Sequence, residues 1–336
     1  MKVTFTNRRN IRQAHQQQLA QHSPTGYYFN DYISLNGLKQ WVTIRGAKRT
    51  NPLLLIIHGG PAATNSMFSN LTQNFEKEVT IVEWDQRGAG KTYRKQKVTP
   101  TSLQEIVADG LALTRWLRKK FSTTPLILVG SAEGSFTANL MLQQSPQYYA
   151  AYIATDQDFE NSRQAAVDQL KTLGQTNHNK KMIHRMKKMP QRLDNWTDTE
   201  INHFNRYAAK ANPAVPNAMR DLLIPQLLTS PFHSWADVLA FFRGMRATKQ
   251  QLAMELDHFN YERLLTETTV PFFIFQGAGD VVTPAASAKD YFDQVKAPNK
   301  KMVLIPASGH LCLFANPDYF LKMIRENVLP VLEQKN

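Results

Sequence analysis

A single cysteine, Cys312, stands among 336 residues. It excludes an internal disulfide framework and suits a reducing compartment, or a secreted protein without disulfides. Long apolar runs are missing as well: no window approaches the roughly 18 apolar residues of a membrane span. The segment Met1–Asn10 lacks an apolar core of signal-peptide length, so a cytoplasmic protein is the expectation. Metal-ligand spacing is absent, since His178, His184 and His203 belong to no H-E-x-x-H or comparable pattern. The pair Gly88 and Gly90 is too short a glycine signature for a dinucleotide loop. Neither a metal nor a cofactor is therefore expected. Internal repeats and nucleic-acid modules are likewise missing.

Negative charge is scarce: 27 acidic residues face 40 Lys and Arg, for a net charge of +13. The excess concentrates at Lys180, Lys181, Arg185, Lys187, Lys188 and Arg192. A solvated basic surface is the ordinary reading of such a block. Steering of an anionic substrate toward a cleft is the functional one. No nucleic-acid partner is expected.

What is present is a core-forming composition, 42% hydrophobic and 10% aromatic. Residues 1–26 are polar and rich in glutamine, and read as an N-terminal extension. Tyr28–Leu35 and Leu38–Ile44 then alternate around Asn36-Gly37, a strong hairpin signal. Unalternating apolar runs follow at Leu53–Ile57, Val79–Val82, Leu126–Val129 and Tyr152–Ala154, as in strands covered on both faces. Helical spacing is clearest over Ser102–Phe121. Strand signal stops over 157–266 and resumes at Val270–Phe275 and Lys301–Ile305, before a final helix from Pro317 to about Leu332. The expected fold is α/β, with a mostly parallel sheet and helices on both faces. Residues 27–157 and 266–336 would form the core. Residues 158–265 would form a helical lid over the carboxyl edge of the sheet, where ligands bind in open α/β folds.

Chemistry-bearing residues follow the strand runs. His58-Gly-Gly-Pro61 offers backbone N–H groups unobstructed by a Cβ, and Gly60 is one candidate oxyanion donor. Asp85 and Arg87, in Trp84-Asp-Gln-Arg-Gly88, read as structural ion partners. Gly130-Ser-Ala-Glu-Gly134 has the G-x-S-x-G frame of a nucleophile elbow, but Ala132 fills the serine position. The N–H of Glu133 would be the second oxyanion donor. Asp280 and His310 follow later strands in the order acid, then histidine. His310 would serve as base, and Asp280 would hold its tautomer. Cys312 reads as a small packing residue.

Together His58–Pro61, Asp85–Gly88, the elbow, Gly277–Asp280, Gly309-His310 and Tyr152–Gln157 resemble the α/β-hydrolase superfamily, and within it the proline iminopeptidase-like branch. The resemblance spans roughly residues 27–334 and implies an acyl-enzyme hydrolase. It departs from that branch at Ala132, at Glu133 where tryptophan is usual, and at Ala62 where a glycine often stands. In the branch, lid glutamates grip the substrate amine; Glu160 and Glu255 are available, without a local motif that assigns them this role. Carboxylic esters or lactones, including bulky or macrocyclic ones, are the first expectation. Aromatic lid residues such as Phe241 and Trp235 could enclose the apolar part. A prolyl aminopeptidase is the alternative, and a non-catalytic ligand-binding pseudohydrolase the alternative of another class. The alanine is read as a serine-to-alanine inactivated form, because the acid, the base and the oxyanion frame all remain.

Overall fold

Apolar runs without alternation can be buried only inside a sheet covered on both sides, and that is where they lie. The computed structural model describes residues 8–19, 23–189 and 196–333. Its eight strands are β1 (Tyr27–Leu35), β2 (Leu38–Gly46), β3 (Leu53–Ile57), β4 (Thr80–Asp85), β5 (Leu126–Ser131), β6 (Ala151–Thr155), β7 (Phe272–Gly277) and β8 (Lys300–Ile305). They form one sheet in the order β1-β2-β4-β3-β5-β6-β7-β8. The β1–β2 and β2–β4 pairs are antiparallel, and every later pair is parallel. Asn36 and Gly37 have φ of 46° and 81°, the two positive values of a type I′ turn, with Leu35 opposite Leu38. Every residue of β3 to β7 is buried.

The helices are α1 (Arg8–Leu19), α2 (Gly90–Gln96), α3 (Leu103–Lys120), α4 (Gly134–Gln144), α5 (Ser162–Thr176), α6 (Lys180–Lys188), α7 (Asp198–Ala211), α8 (Ile224–Thr229), α9 (Trp235–Asp257), α10 (Ala285–Gln294), α11 (Cys312–Ala315), α12 (Pro317–Met323) and α13 (Leu329–Glu333). Ser102 caps α3 by accepting the Glu105 N–H. Two apolar layers sandwich the sheet. One gathers Trp84, Leu113, Phe136, Tyr152, Phe272 and Tyr291, and the other Phe68, Phe75, Phe241, Phe275, Phe314 and Phe320. The single C-terminal helix expected from the sequence is instead α12 and α13 with a π-helical turn, Ile324–Val328, between them. Pro330 has no N–H to return to the preceding turn, and the wider turn lies just ahead of it.

Between β6 and β7 the chain carries α5 to α9. Helices α5, α6 and α7 share a small apolar cluster that includes Ala166, Leu170, Met182, Met186 and Phe204. By contrast, Val238 and Phe241 of α9 and Leu227 of α8 join the core of the sheet. Helix α1 lies against α8, whose last residue, Thr229, meets His15 Nδ1 through its carbonyl at 3.2 Å. Arg8 stacks over the Trp235 ring at 4.1 Å.

His58, at the end of β3, is 2% exposed and accepts the Gln86 N–H at Nε2, 3.3 Å away. Its Nδ1 donates to the Gly59 carbonyl at 3.1 Å. Burial holds the imidazole neutral and pushes its pKa down to about 4. A histidine with a depressed folded pKa stabilises the fold above its unfolded value near 6.5, and that contribution is lost as pH falls toward 4. The window of roughly 2.5 units corresponds to about 3 kcal/mol. Chemical denaturation from pH 7 to pH 4 should show a steeper fall for this protein than for His58→Gln.

Candidate active site

The elbow between β5 and α4 is fixed by two contacts that leave no room for a side chain. A Cβ on Gly134 would come within 2.3 Å of the Ile57 carbonyl oxygen, and one on Gly130 within 2.6 Å of Ser135 Cα. The chain doubles back between them, and Ala132 takes φ of 50°, a left-handed conformation unusual for a residue with a Cβ. Its N–H bonds the Thr155 carbonyl at 3.0 Å, and its carbonyl accepts the Ser135 N–H at 2.8 Å. Ala132 is 8% exposed.

Asp280 follows β7 and His310 follows β8, and the sheet brings them together: Nδ1 of His310 lies 3.0 Å from Asp280 Oδ2. Asp280 is fully buried and accepts the N–H groups of Val282 and Thr283 at Oδ1 and the Thr283 hydroxyl at Oδ2. These donors orient the carboxylate. Left-handed Ala307 and Leu311, with φ of 53° and 64°, bend the loop around His310.

A residue given no role from the sequence belongs to the same group. Asp156, just past β6, is fully buried and left-handed, with φ of 53°. It accepts the Cys312 N–H at 3.1 Å and faces the hydroxyls of Ser131 and Thr155 at 3.4 and 3.3 Å. Burial lifts its carboxyl to about 6, against the pull of the His310 charge. Its position directly after a buried strand, on the edge where Asp280 and His310 sit, is the signal that could have marked it. For His310, burial works against the imidazolium. Asp280 outweighs it, with help from Asp156 and Glu133, and raises the pKa to about 9.

Among the described residues, Asp156, Asp280 and His310 form a group compact enough to hold a cation, with ligand-type atoms within 4.8 Å of one another. Both oxygens of Asp280 already accept two donors each, so a metal there would have to displace existing hydrogen bonds.

Gly60 has φ of 106°, and its N–H donates to Glu133 Oε2 at 2.8 Å. The side chain of Glu133 therefore holds one of the two donors assigned from the sequence to an oxyanion. Burial pushes the Glu133 carboxyl up, while the Gly60 N–H and the charge of Lys249 pull it down.

The remaining sequence candidates are dispersed. Glu255 accepts the Leu103 N–H at 2.7 Å and pairs with Arg263 at 3.7 Å, at the start of α3. Glu160 lines an outer cavity of about 330 Å³ with Asn161, Asp290 and Asp293. Phe241 is fully buried in the core, whereas Trp235 is 46% exposed beneath Arg8. Arg87 pairs with Asp109 and Glu105, not with Asp85, whose carboxylate takes the Thr64 hydroxyl and the Lys91 N–H. Cys312 packs fully buried between Thr155 and the Phe275 carbonyl.

Two measurements probe these electrostatics. The His310 ring should stay protonated at pH 7.5 and titrate near pH 9 by NMR, falling toward the ordinary value in Asp280→Asn. A weak anion such as butyrate should bind more tightly, by about tenfold, to Glu133→Ala, since that change frees the Gly60 N–H and removes a competing charge; calorimetry gives the comparison.

The chain is similar to the Probable aminopeptidase YbaC of Bacillus subtilis strain 168, with 26% identity over 295 residues, covering 86% of this chain and 92% of that protein. Its fold is similar to that of a membrane phospholipase A described as a bacterial virulence factor, with 14% identity and a TM-score of 0.62 over 97% of this chain and 91% of the other. It is also similar to a proline iminopeptidase-related protein from Thermus thermophilus, with 16% identity and a TM-score of 0.58 over 91% and 99%. The family model for the alpha/beta hydrolase fold matches residues 52–317, which carry β3 to β8 and every residue of the site. With that match and this strand order, the chain belongs to the α/β-hydrolase fold family.

Proposed function

We propose that the chain is a hydrolase-type site for carboxylic esters or lactones in a non-acylating form, with Ala132 at the position of a reactive serine. The observation that carries this reading is the left-handed Ala132 at the head of α4, on the sheet edge that also carries the paired Asp280 and His310. A hydroxyl at residue 132 is the group this arrangement would need to form an acyl-enzyme, together with release of the Gly60 N–H from Glu133. With serine there, His310 would take its proton as the hydroxyl attacks a carbonyl, then return a proton to the leaving oxygen, and water would release the acid. Without it no acyl-enzyme can form. His310, charged at neutral pH, presents an N–H donor to a bound acceptor rather than a base. A form that binds without turnover, the pseudohydrolase reading, is the same site described without a reaction.

The likeness to YbaC favours a second reading, hydrolysis of an amide next to a free amine. The partly buried carboxylates of Glu133 and of Asp158, which follows β6 and accepts the Tyr261 hydroxyl, would suit a cationic substrate group. In either case residues 158–265 are read as the lid over the site.

Restoring the hydroxyl is the test. Ala132→Ser should raise turnover of p-nitrophenyl esters by about 10⁴- to 10⁶-fold over the alanine chain, and His310→Ala should remove the gain. Its rate should rise with pH as His310 loses its proton. Faster turnover of proline-naphthylamide than of any ester would favour the aminopeptidase. A serine form inert to both panels that still binds a ligand would favour the pseudohydrolase.

A further inference from the structure

Helix α6, Lys-Lys-Met-Ile-His-Arg-Met-Lys-Lys over residues 180–188, carries no acidic residue. Its apolar side is committed: Met182 and Met186 are 3% exposed each and packed into the cluster shared with α5 and α7. The rest faces solvent. Lys180, Lys181, His184, Arg185, Lys187 and Lys188 are all exposed. Among the described residues none of the four lysines is in an ion pair, and Arg185 lies over the Tyr207 ring at 4.7 Å.

This charge serves the helix only in part: Arg185, Lys187 and Lys188 lie in the last turn, where the dipole favours cations. Lys180 and Lys181 occupy the first turn, where the helix dipole favours anions. Lys181 and Arg185 stand four residues apart, so like charges stack along the same face. Asn179 caps the helix through the Met182 N–H, so no cation is needed for that end. Local stability would be better served by glutamates at several of these positions. The first-turn lysines, kept against the dipole and against Arg185, make the cationic face continuous along the helix, and an external anion accounts for that continuity.

We infer that α6 is a docking face for an anionic lipid bilayer. The helix is about 13 Å long at 1.5 Å per residue, with its cations on one convex side. That shape fits a flat, diffusely charged surface better than a groove or a discrete phosphate. Lysines on flexible stems act as point charges that track mobile headgroups, and clusters of 4–8 basic residues bind such membranes. The face lacks the aromatic interleaving that would stack bases. Attachment would be peripheral, since no helix among the described residues is long and apolar enough to cross a membrane.

The test is sedimentation of the full chain with vesicles of phosphatidylcholine containing about 30% phosphatidylserine, against pure phosphatidylcholine. Binding to the anionic vesicles should be at least tenfold tighter and should fade as salt rises from about 0.05 to 0.5 M. The fourfold variant Lys180→Glu, Lys181→Glu, Lys187→Glu, Lys188→Glu should weaken it by about 100-fold with unchanged circular dichroism. The corresponding glutamine variant, which removes the four lysine charges without adding negative ones, should weaken it by about tenfold and guards against misfolding of the first. Absence of a lipid preference, or binding that survives both variants, overturns the proposal. So does tighter, variant-sensitive binding to a duplex oligonucleotide.

Discussion

The close approach of α4 to the end of β3 is the constraint on which the rest of this site depends. Gly134 lies where any side chain would strike the Ile57 carbonyl, and Gly130 where it would strike Ser135. With both gaps closed by backbone, the chain doubles back sharply between them. The left-handed turn at Ala132 follows, and so does its place at the carboxyl edge of the sheet. Its cost, about 1–3 kcal/mol for a non-glycine residue, is borne by the packing of α4 against β5 and β3.

Around that apex the sheet gathers more negative than positive charge. Asp156, Asp280 and Glu133 all act on His310, and together they hold the ring charged despite its burial. A carboxylate takes the Gly60 N–H that the family chemistry would leave open for a developing oxyanion. The carboxylates of Asp156, Asp280 and Glu133 all accept hydrogen bonds from the protein itself. Such internal pairing stabilises the unliganded state and sets a competition that any ligand must win.

Much of the fold was legible because the code it uses is local. The hairpin rests on Asn36-Gly37, and the parallel strands on runs too apolar to alternate. Asp280 and His310 stood out because each lies in the loop that follows a strand, three residues past β7 and five past β8. What escaped depends on convergence through space. Asp156 follows a strand too, yet only the meeting of β5, β6 and the His310 loop reveals what it touches. The Glu133 side chain reaches a loop 73 residues away. Phe241 and Phe242 are neighbours on α9, and one is fully buried while the other is 47% exposed; composition alone cannot phase a helix that is apolar on several sides. The pairing of Arg87 with Asp109 rather than Asp85 has the same origin, since α3 delivers a partner that adjacency in sequence conceals.

Val281 is the one buried residue of the α5–α7 apolar cluster that lies after β7, and it is the immediate neighbour of Asp280. The three helices otherwise keep a core of their own, apart from the two layers on the sheet. These helices meet the sheet domain beside the acid loop, where Val281 joins their cluster and the Asn212 side chain donates to the Gly279 carbonyl.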